Sequence, residues 1–198
     1  MAETLVLERI VEAGRKLFAR QGFHATGMRQ IAKTAQVSIG SLYHYFRSKD
    51  ELFLAVVRRA FEERLAQARA LMRQGLPAPE ILRQVLFVYF GTIAQDPETA
   101  QLLSRVWAPE DAALWKKLGA LLEEYARAIA GILEEAMAAG AIRPVHPLLT
   151  AYALLGMAGA VTLRAAQKDA VAEEFRRLGG ENLAELAWQA LRPEKEAR

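Results

Sequence analysis

The sequence predicts an all-α protein: an N-terminal three-helix helix-turn-helix unit joined by a long helix to a larger helical body. Apolar residues recur at helical spacing in nearly every segment, and no short run alternates polar and apolar as a strand would. Glycines, prolines and capping residues punctuate the segments. With 198 residues, 53% apolar and 25% charged, the chain has the composition of an ordinary globular protein and is long enough to bury a core.

The elements follow in order. Leu7, Ile10, Val11, Gly14, Leu17, Phe18 and Gln21 share one helical face, and Gly22 stands where a C-terminal glycine ends a helix. Thr26 is the expected N-cap of a short second helix, with Met28, Ile31, Ala32 and Ala35 on its apolar side. Val37 and Ser38 form the turn, Ser38 capping a third helix that runs to Phe46. Ser48 caps a long fourth helix from Lys49 to Gln74, with Asp50 and Glu51 in its first turn, where the helix dipole favours acids. The stretch Gly75 to Pro79 is a break. Helices then run over 79–95, 98–106, 110–139, 147–168 and 181–191. Their separators are Asp96-Pro97, Ala108-Pro109, Gly140, Pro144, Pro147 and Gly179-Gly180.

Composition excludes several classes of chemistry. There is no cysteine, hence no disulfide, thiolate metal site or cysteine nucleophile. No metal or other cofactor is implied. His24, His44 and His146 form no paired metal-ligand spacing on a helix, and no P-loop, Gly-x-Ser-x-Gly or Gly-x-Gly-x-x-Gly occurs. The adjacent glutamate pairs read as solvated faces. A small helical enzyme, or a carrier of hydrophobic ligands without specific DNA binding, is the alternative that turnover, or tight ligand binding with no specific DNA site, would favour. No signal peptide opens the chain, so a cytoplasmic location is expected. The apolar run Pro147 to Leu163 is just short of a membrane span and reads as a soluble helix covered on several sides, with no membrane partner.

Charge is uneven. Residues 1–50 carry eight Lys/Arg against four Asp/Glu, and from Gly22 to Lys49 there are four cations and no acid. A polyanion-binding unit needs such a bias. In the run TGMRQIAKTAQVSIGSLYHYF (26–46), Ile31, Ala32, Val37, Leu42 and Phe46 would form a miniature core. The other face of the third helix is left to Ser38, Ser41, Tyr43, His44 and Tyr45, which can reach phosphates or base edges. Lys49 follows at the start of the next helix.

The run from Thr26 to Leu52 resembles the DNA-binding signature of the TetR family of bacterial one-component transcriptional regulators. The shared features are Thr26, Ile31-Ala32, Val37-Ser38, Gly40, the Leu42-Tyr43-His44-Tyr45-Phe46 block and Ser48-Lys49-Asp50-Glu51-Leu52. The end of the first helix, Leu17 to Phe23, is similar to that family as well. Two positions depart from the pattern. Gln36 stands where glycine is usual and calls for a strained or altered turn. Ile39 replaces a residue that is commonly polar or basic.

The resemblance implies that Thr26, Arg29, Ser38, Ser41, Tyr43, His44, Tyr45 and Lys49 contact DNA. Tyr45 also reads as a packing residue, and Ser38 as a helix cap in either case. It further implies a homodimer on a palindromic double-stranded operator, with residues 1–48 as the DNA-binding unit and 49–198 as the effector-binding and dimerisation body. A repressor released by a small-molecule effector is the expected mode.

In the body, Ala153, Gly156 and Ala160 are small residues on an apolar helix. With Leu183, Leu186 and Leu191 they are the candidate two-fold interface, an internal core helix being the other reading. Phe87, Phe90, Leu102, Trp107, Leu122, Tyr125 and Met157 supply candidate pocket surface, although most such residues are simply core. Arg105 and Arg164 are candidate cations for an anionic ligand group. An acyl thioester, another lipid-like molecule or an aromatic acid suits that mixture.

Overall fold

The computed structural model describes residues 2–73, 77–95, 97–107 and 112–193, and all the regular structure among them is α-helical. The helices are α1 (Ala2–Ala25), α2 (Met28–Thr34), α3 (Ile39–Tyr45), α4 (Lys49–Met72), α5 (Ala78–Gln95), α6 (Pro97–Trp107), α7 (Ala112–Ala138), α8 (Pro147–Ala165) and α9 (Ala170–Leu191). Three of the expected breaks fall wholly or partly outside the described residues: Gly75 and Leu76, Asp96, and Ala108-Pro109.

In α1 the regular helix breaks at Gly22 (φ 85°), a conformation that costs glycine little. The N-cap of α2 is Gly27, which corrects the expectation of Thr26. Thr26 is instead buried, its hydroxyl donating to the Gly22 carbonyl at 2.6 Å, so it ties α2 to the end of α1. Ser38 caps α3 by accepting from the Ser41 amide at 2.9 Å. Ser48 caps α4 by accepting from the Glu51 amide, and the Glu51 carboxylate in turn accepts from the Arg47 amide at 2.8 Å. Ile31, Ala32, Leu42 and Phe46 are buried between these helices, with Val37 packed against them. Gly14 lets α4 approach α1 closely, since a Cβ there would lie 3.1 Å from Val56.

One apolar core runs from this N-terminal unit into the body through the buried side of α4, comprising Leu52, Phe53, Val56, Val57 and Phe61. Gly140 (φ 67°) ends α7, with the Ala141 amide donating back to Ala136 at 2.8 Å. Arg143, in the segment that follows, donates from its amide and its guanidinium to the last carbonyls of α9.

The sequence expectation fails at α9. Gly179-Gly180 is no break: the helix begins at Ala170, capped by Asp169, and runs through both glycines. The pair serves close packing. A Cβ on Gly180 would sit 2.6 Å from the Phe90 carbonyl oxygen of α5, and one on Gly179 would sit 2.6 Å from Val161 of α8. Helix α9 therefore lies tightly against α5 and α8 together.

Helix α8 has the length and hydropathy of a membrane span, yet Ala151, Leu154, Leu155, Gly159 and Thr162 pack into the core. Its opposite side is left open among the described residues, on the side where the sequence places a two-fold interface. Leu149, Tyr152, Ala153, Gly156, Ala160 and Leu163 form an exposed stripe at helical spacing.

Candidate functional site

The exposed side of the helix-turn-helix starts at the turn. Gln36 has φ 55°, the one positive φ outside glycine among the described residues, as its departure from glycine required. The turn is held from α1, where the Arg9 guanidinium donates to the carbonyls of Ala35 and Gln36. Sequence reasoning missed Arg9, because on a helical pattern it is only another cation on a polar face.

Beyond the turn, α3 buries Leu42 and presents Ser38, Ile39, Gly40, Tyr43 and His44 to solvent. Tyr43 is 50% exposed and lies with Ile39 and Gly40 on one face. The other predicted contact residues divide by their surroundings. Arg29 is exposed on α2, and Ser41 is partly covered. Tyr45 is half-buried against the core, edge-on to His44, its hydroxyl donating to the Glu3 carbonyl at 3.4 Å. Thr26, at 1% exposure, offers no side-chain surface. Lys49 reaches back to the end of α1, donating to the His24 carbonyl at 3.3 Å with its ammonium 4.4 Å from the Phe23 ring centre.

The second site is a chamber in the body between α4, α5, α7 and α8. Its walls are Leu65, Ala68, Val85, Leu86, Val88, Ile129, Ile132, Leu133 and Leu154, with Arg64, Tyr89 and Tyr125 as the polar lining. It encloses only about 40 Å³. The Tyr125 ring stacks flat on Phe61, with centres 4.2 Å apart, and its hydroxyl is buried without a hydrogen-bond partner among the described residues. Burial pushes the Tyr125 phenol above the ordinary tyrosine range, opposed weakly by the Arg64 charge, so the group stays a neutral donor. Burial raises the Tyr89 phenol too. Arg64 donates to the Ala60 carbonyl of its own helix at 2.8 Å and pairs with no carboxylate among the described residues.

Of the predicted pocket residues, Tyr125 alone lines this chamber. Phe90, Leu102 and Leu122 are buried in the core, and Phe87 and Met157 pack against it. Arg164 does not line the chamber: its Nη2 pairs with Asp169 at 2.7 Å, which holds the Asp169 carboxyl below its usual range, while its Nη1 is buried without a hydrogen-bond partner among the described residues. The side chains of Arg105 and Trp107 lie outside the described residues. The chamber's own cation is Arg64, on a helix whose charged positions all look solvated in the sequence.

The predicted interface residues Ala153, Gly156, Ala160 and Leu186 are exposed, and Leu183 is partly so. Leu191 is a correction: it is 3% exposed, turned into the core at the end of α9.

The chain matches the profile of "Bacterial regulatory proteins, tetR family" over residues 10–56 and that of "Tetracyclin repressor-like, C-terminal domain" over 75–163. It is 29% identical over 150 residues to "Uncharacterized HTH-type transcriptional regulator YhgD" of Bacillus subtilis, covering 74% of this chain and 76% of that one. Among solved structures, the fatty acid degradation regulator FadR of Bacillus halodurans superposes with a TM-score of 0.76 at 20% identity, over 96% of this chain and 97% of the other. The FadR of Bacillus subtilis, in complex with stearoyl-CoA, superposes with a TM-score of 0.72 at 21% identity, over 91% and 96%. These two likenesses are of fold.

Proposed function

The chain belongs to the TetR family of bacterial regulatory proteins, as a helix-turn-helix transcriptional regulator with a helical ligand-binding C-terminal domain, and from that premise we propose that it is a homodimeric repressor released from a palindromic operator by a largely apolar effector. Residues 1–48 read the DNA, and residues 49–198 hold the effector and the partner copy. The observation that carries the reading is the open face of α3. Tyr43, His44 and Ile39 stand exposed, with the capping Ser38 at their head, on a helix whose Leu42 side is buried, within a stretch that contains no acid. Arg29 and Lys49 flank that face as phosphate or base contacts, with Ser41 and Tyr45 beneath it. Thr26 acts through the Gly22 carbonyl it holds.

The exposed stripe of α8, with Leu186 on α9, is the seam for the second copy. Burying it removes contiguous apolar surface that a lone soluble chain rarely shows. The dimer then sets its two α3 helices about 34 Å apart, one turn of duplex. Helix α4 runs from the DNA-binding unit at Lys49 to the chamber at Arg64, Leu65 and Ala68. A ligand that opens the chamber changes the tilt of α4 and so the spacing of the α3 helices. Full release needs on the order of 5 kcal/mol of differential affinity between the two states.

Selection of the purified protein against a random duplex pool, with the winner's binding followed against salt, tests this reading. The expected result is a two-fold symmetric site bound far more tightly than random sequence. Binding that stays weak and sequence-blind after extraction of any co-purified ligand overturns it.

A further inference from the structure

We infer that Tyr125 and Arg64 form the polar anchor of an acyl ligand, the phenol and the guanidinium donating to its carbonyl or carboxylate oxygen while the chain lies among Leu65, Val85, Ile132 and Leu133. The inference rests on the effector reading above and supplies its residues and chemistry.

Four observations converge. The Tyr125 hydroxyl is buried with no partner among the described residues, and its ring is clamped flat on Phe61, so it cannot swing to water. An orphaned hydroxyl is a penalty that folding alone does not require, because phenylalanine would fill the same space. Arg64, on the same chamber wall, has no carboxylate partner among the described residues. The phenol stays protonated, so Tyr125 and Arg64 both offer donors, and the complement is an oxygen acceptor, most strongly an anionic one. The remaining walls are overwhelmingly aliphatic, which selects a flexible apolar chain over a polar or sugar-like body.

The enclosed 40 Å³ holds no more than about three waters, far less than an acyl chain needs, so entry must part the walls. Arg64, Leu65 and Ala68 belong to α4, whereas Tyr125, Ile129, Ile132 and Leu133 belong to α7. An acyl chain therefore wedges the C-terminal half of α4 away from α7. The anchor fixes which end of the ligand enters, and the chain does the separating.

Calorimetric titration of the full-length protein with decanoate, decanoyl-CoA and decanol tests this, beside Tyr125→Phe, Arg64→Gln and Arg64→Lys. Wild type should bind decanoate or decanoyl-CoA at least about tenfold more tightly than decanol. A preference for decanoate assigns the site to free acids, and a preference for decanoyl-CoA assigns it to thioesters. Tyr125→Phe should weaken the preferred ligand about tenfold while melting no lower than wild type without ligand. Arg64→Gln should weaken it similarly, with Arg64→Lys between the two and decanol affinity changed less than about twofold. Equal binding of decanol, or unchanged acyl affinity in Tyr125→Phe and Arg64→Gln, overturns the assignment. So does a protein that binds its selected operator but none of the three probes, which leaves the regulator reading standing. Failure of operator selection removes that reading whatever the titrations give.

Discussion

Arg9 holds Gln36 in place through the backbone: its Nη2 donates to the Gln36 carbonyl at 2.6 Å, while Nε donates to the Ala35 carbonyl at 2.9 Å. The two residues are 27 positions apart and meet across the turn that sets the angle between α2 and α3. A left-handed conformation costs a side-chain-bearing residue about 1–2 kcal/mol, and the guanidinium stabilises the carbonyls that this conformation presents.

The clamp predicts non-additivity. Gln36→Gly should be neutral to about 1 kcal/mol stabilising, since relief of the turn is partly offset by the freer unfolded chain. Arg9→Ala should cost about 1 kcal/mol in the wild-type background and clearly less beside Gln36→Gly. Urea unfolding of the four proteins reads this cycle. An identical Arg9→Ala cost in both backgrounds means that Arg9 does not support the turn.

Two glycines invite opposite outcomes. Gly180 faces the Phe90 carbonyl with no room for a methyl group, so Gly180→Ala should force α9 from α5 and destabilise by about 2–3 kcal/mol. Gly156 meets nothing within 4 Å, so Gly156→Ala should stabilise the single chain by about 0.5–1 kcal/mol through helix propensity. If the α8 stripe is the dimer seam, the same methyl group weakens association. Sedimentation across a dilution series detects that loss, and unchanged self-association in Gly156→Ala argues against a close α8 crossing.

How far the sequence reveals the molecule differs between its halves. In the N-terminal unit the dominant signals are local: Ser38 and Ser48 cap their own helices, and Gly22 and Gln36 adopt the positive φ that their places demand. Such features can be read along the chain. In the body the decisive contacts are distant in sequence. Gly179-Gly180 looks like a break until α5 and α8 are seen against it. Tyr125 stands out from the aromatic stripe only once its hydroxyl is found without a partner among the described residues. Arg64 is one of nineteen arginines until the fold turns it to the chamber. Leu191, apolar near the chain end, carries no local mark separating a core residue from an interface residue.

The buried phenols make stability fall in alkali. In Tyr89 and Tyr125 the folded pKa is raised above the ordinary value of 10. The stability tied to their protonated forms is fully present below that pH and is lost as pH rises toward the folded values, because the unfolded chain releases those protons first. Each contributes a fall of up to about 1.4 kcal/mol per pH unit above 10. Tyr89 and Tyr125 should therefore ionise only as helicity is lost. Absorbance at about 295 nm followed beside circular dichroism checks the order. Smooth ionisation of all five tyrosines before any loss of helix would contradict the burial.

On the DNA face, Tyr43 and Lys49 should fail in different ways. Tyr43 is half exposed, so Tyr43→Ala should leave folding within about 0.5 kcal/mol of wild type. Its effect falls on the operator: a loss of about 1–3 kcal/mol in affinity, with specificity relaxed at the bases it meets. Lys49 also serves the fold through Phe23 and the His24 carbonyl, so Lys49→Ala should lower the melting temperature as well. As a phosphate contact it should weaken selected and random duplexes alike and reduce the slope of log K against log salt by about 0.9. Binding isotherms at several salt concentrations separate the two signatures. If Lys49→Ala loses stability but keeps the full salt slope, Lys49 belongs to the scaffold of the reading unit, and its phosphate contact must be struck from the interface.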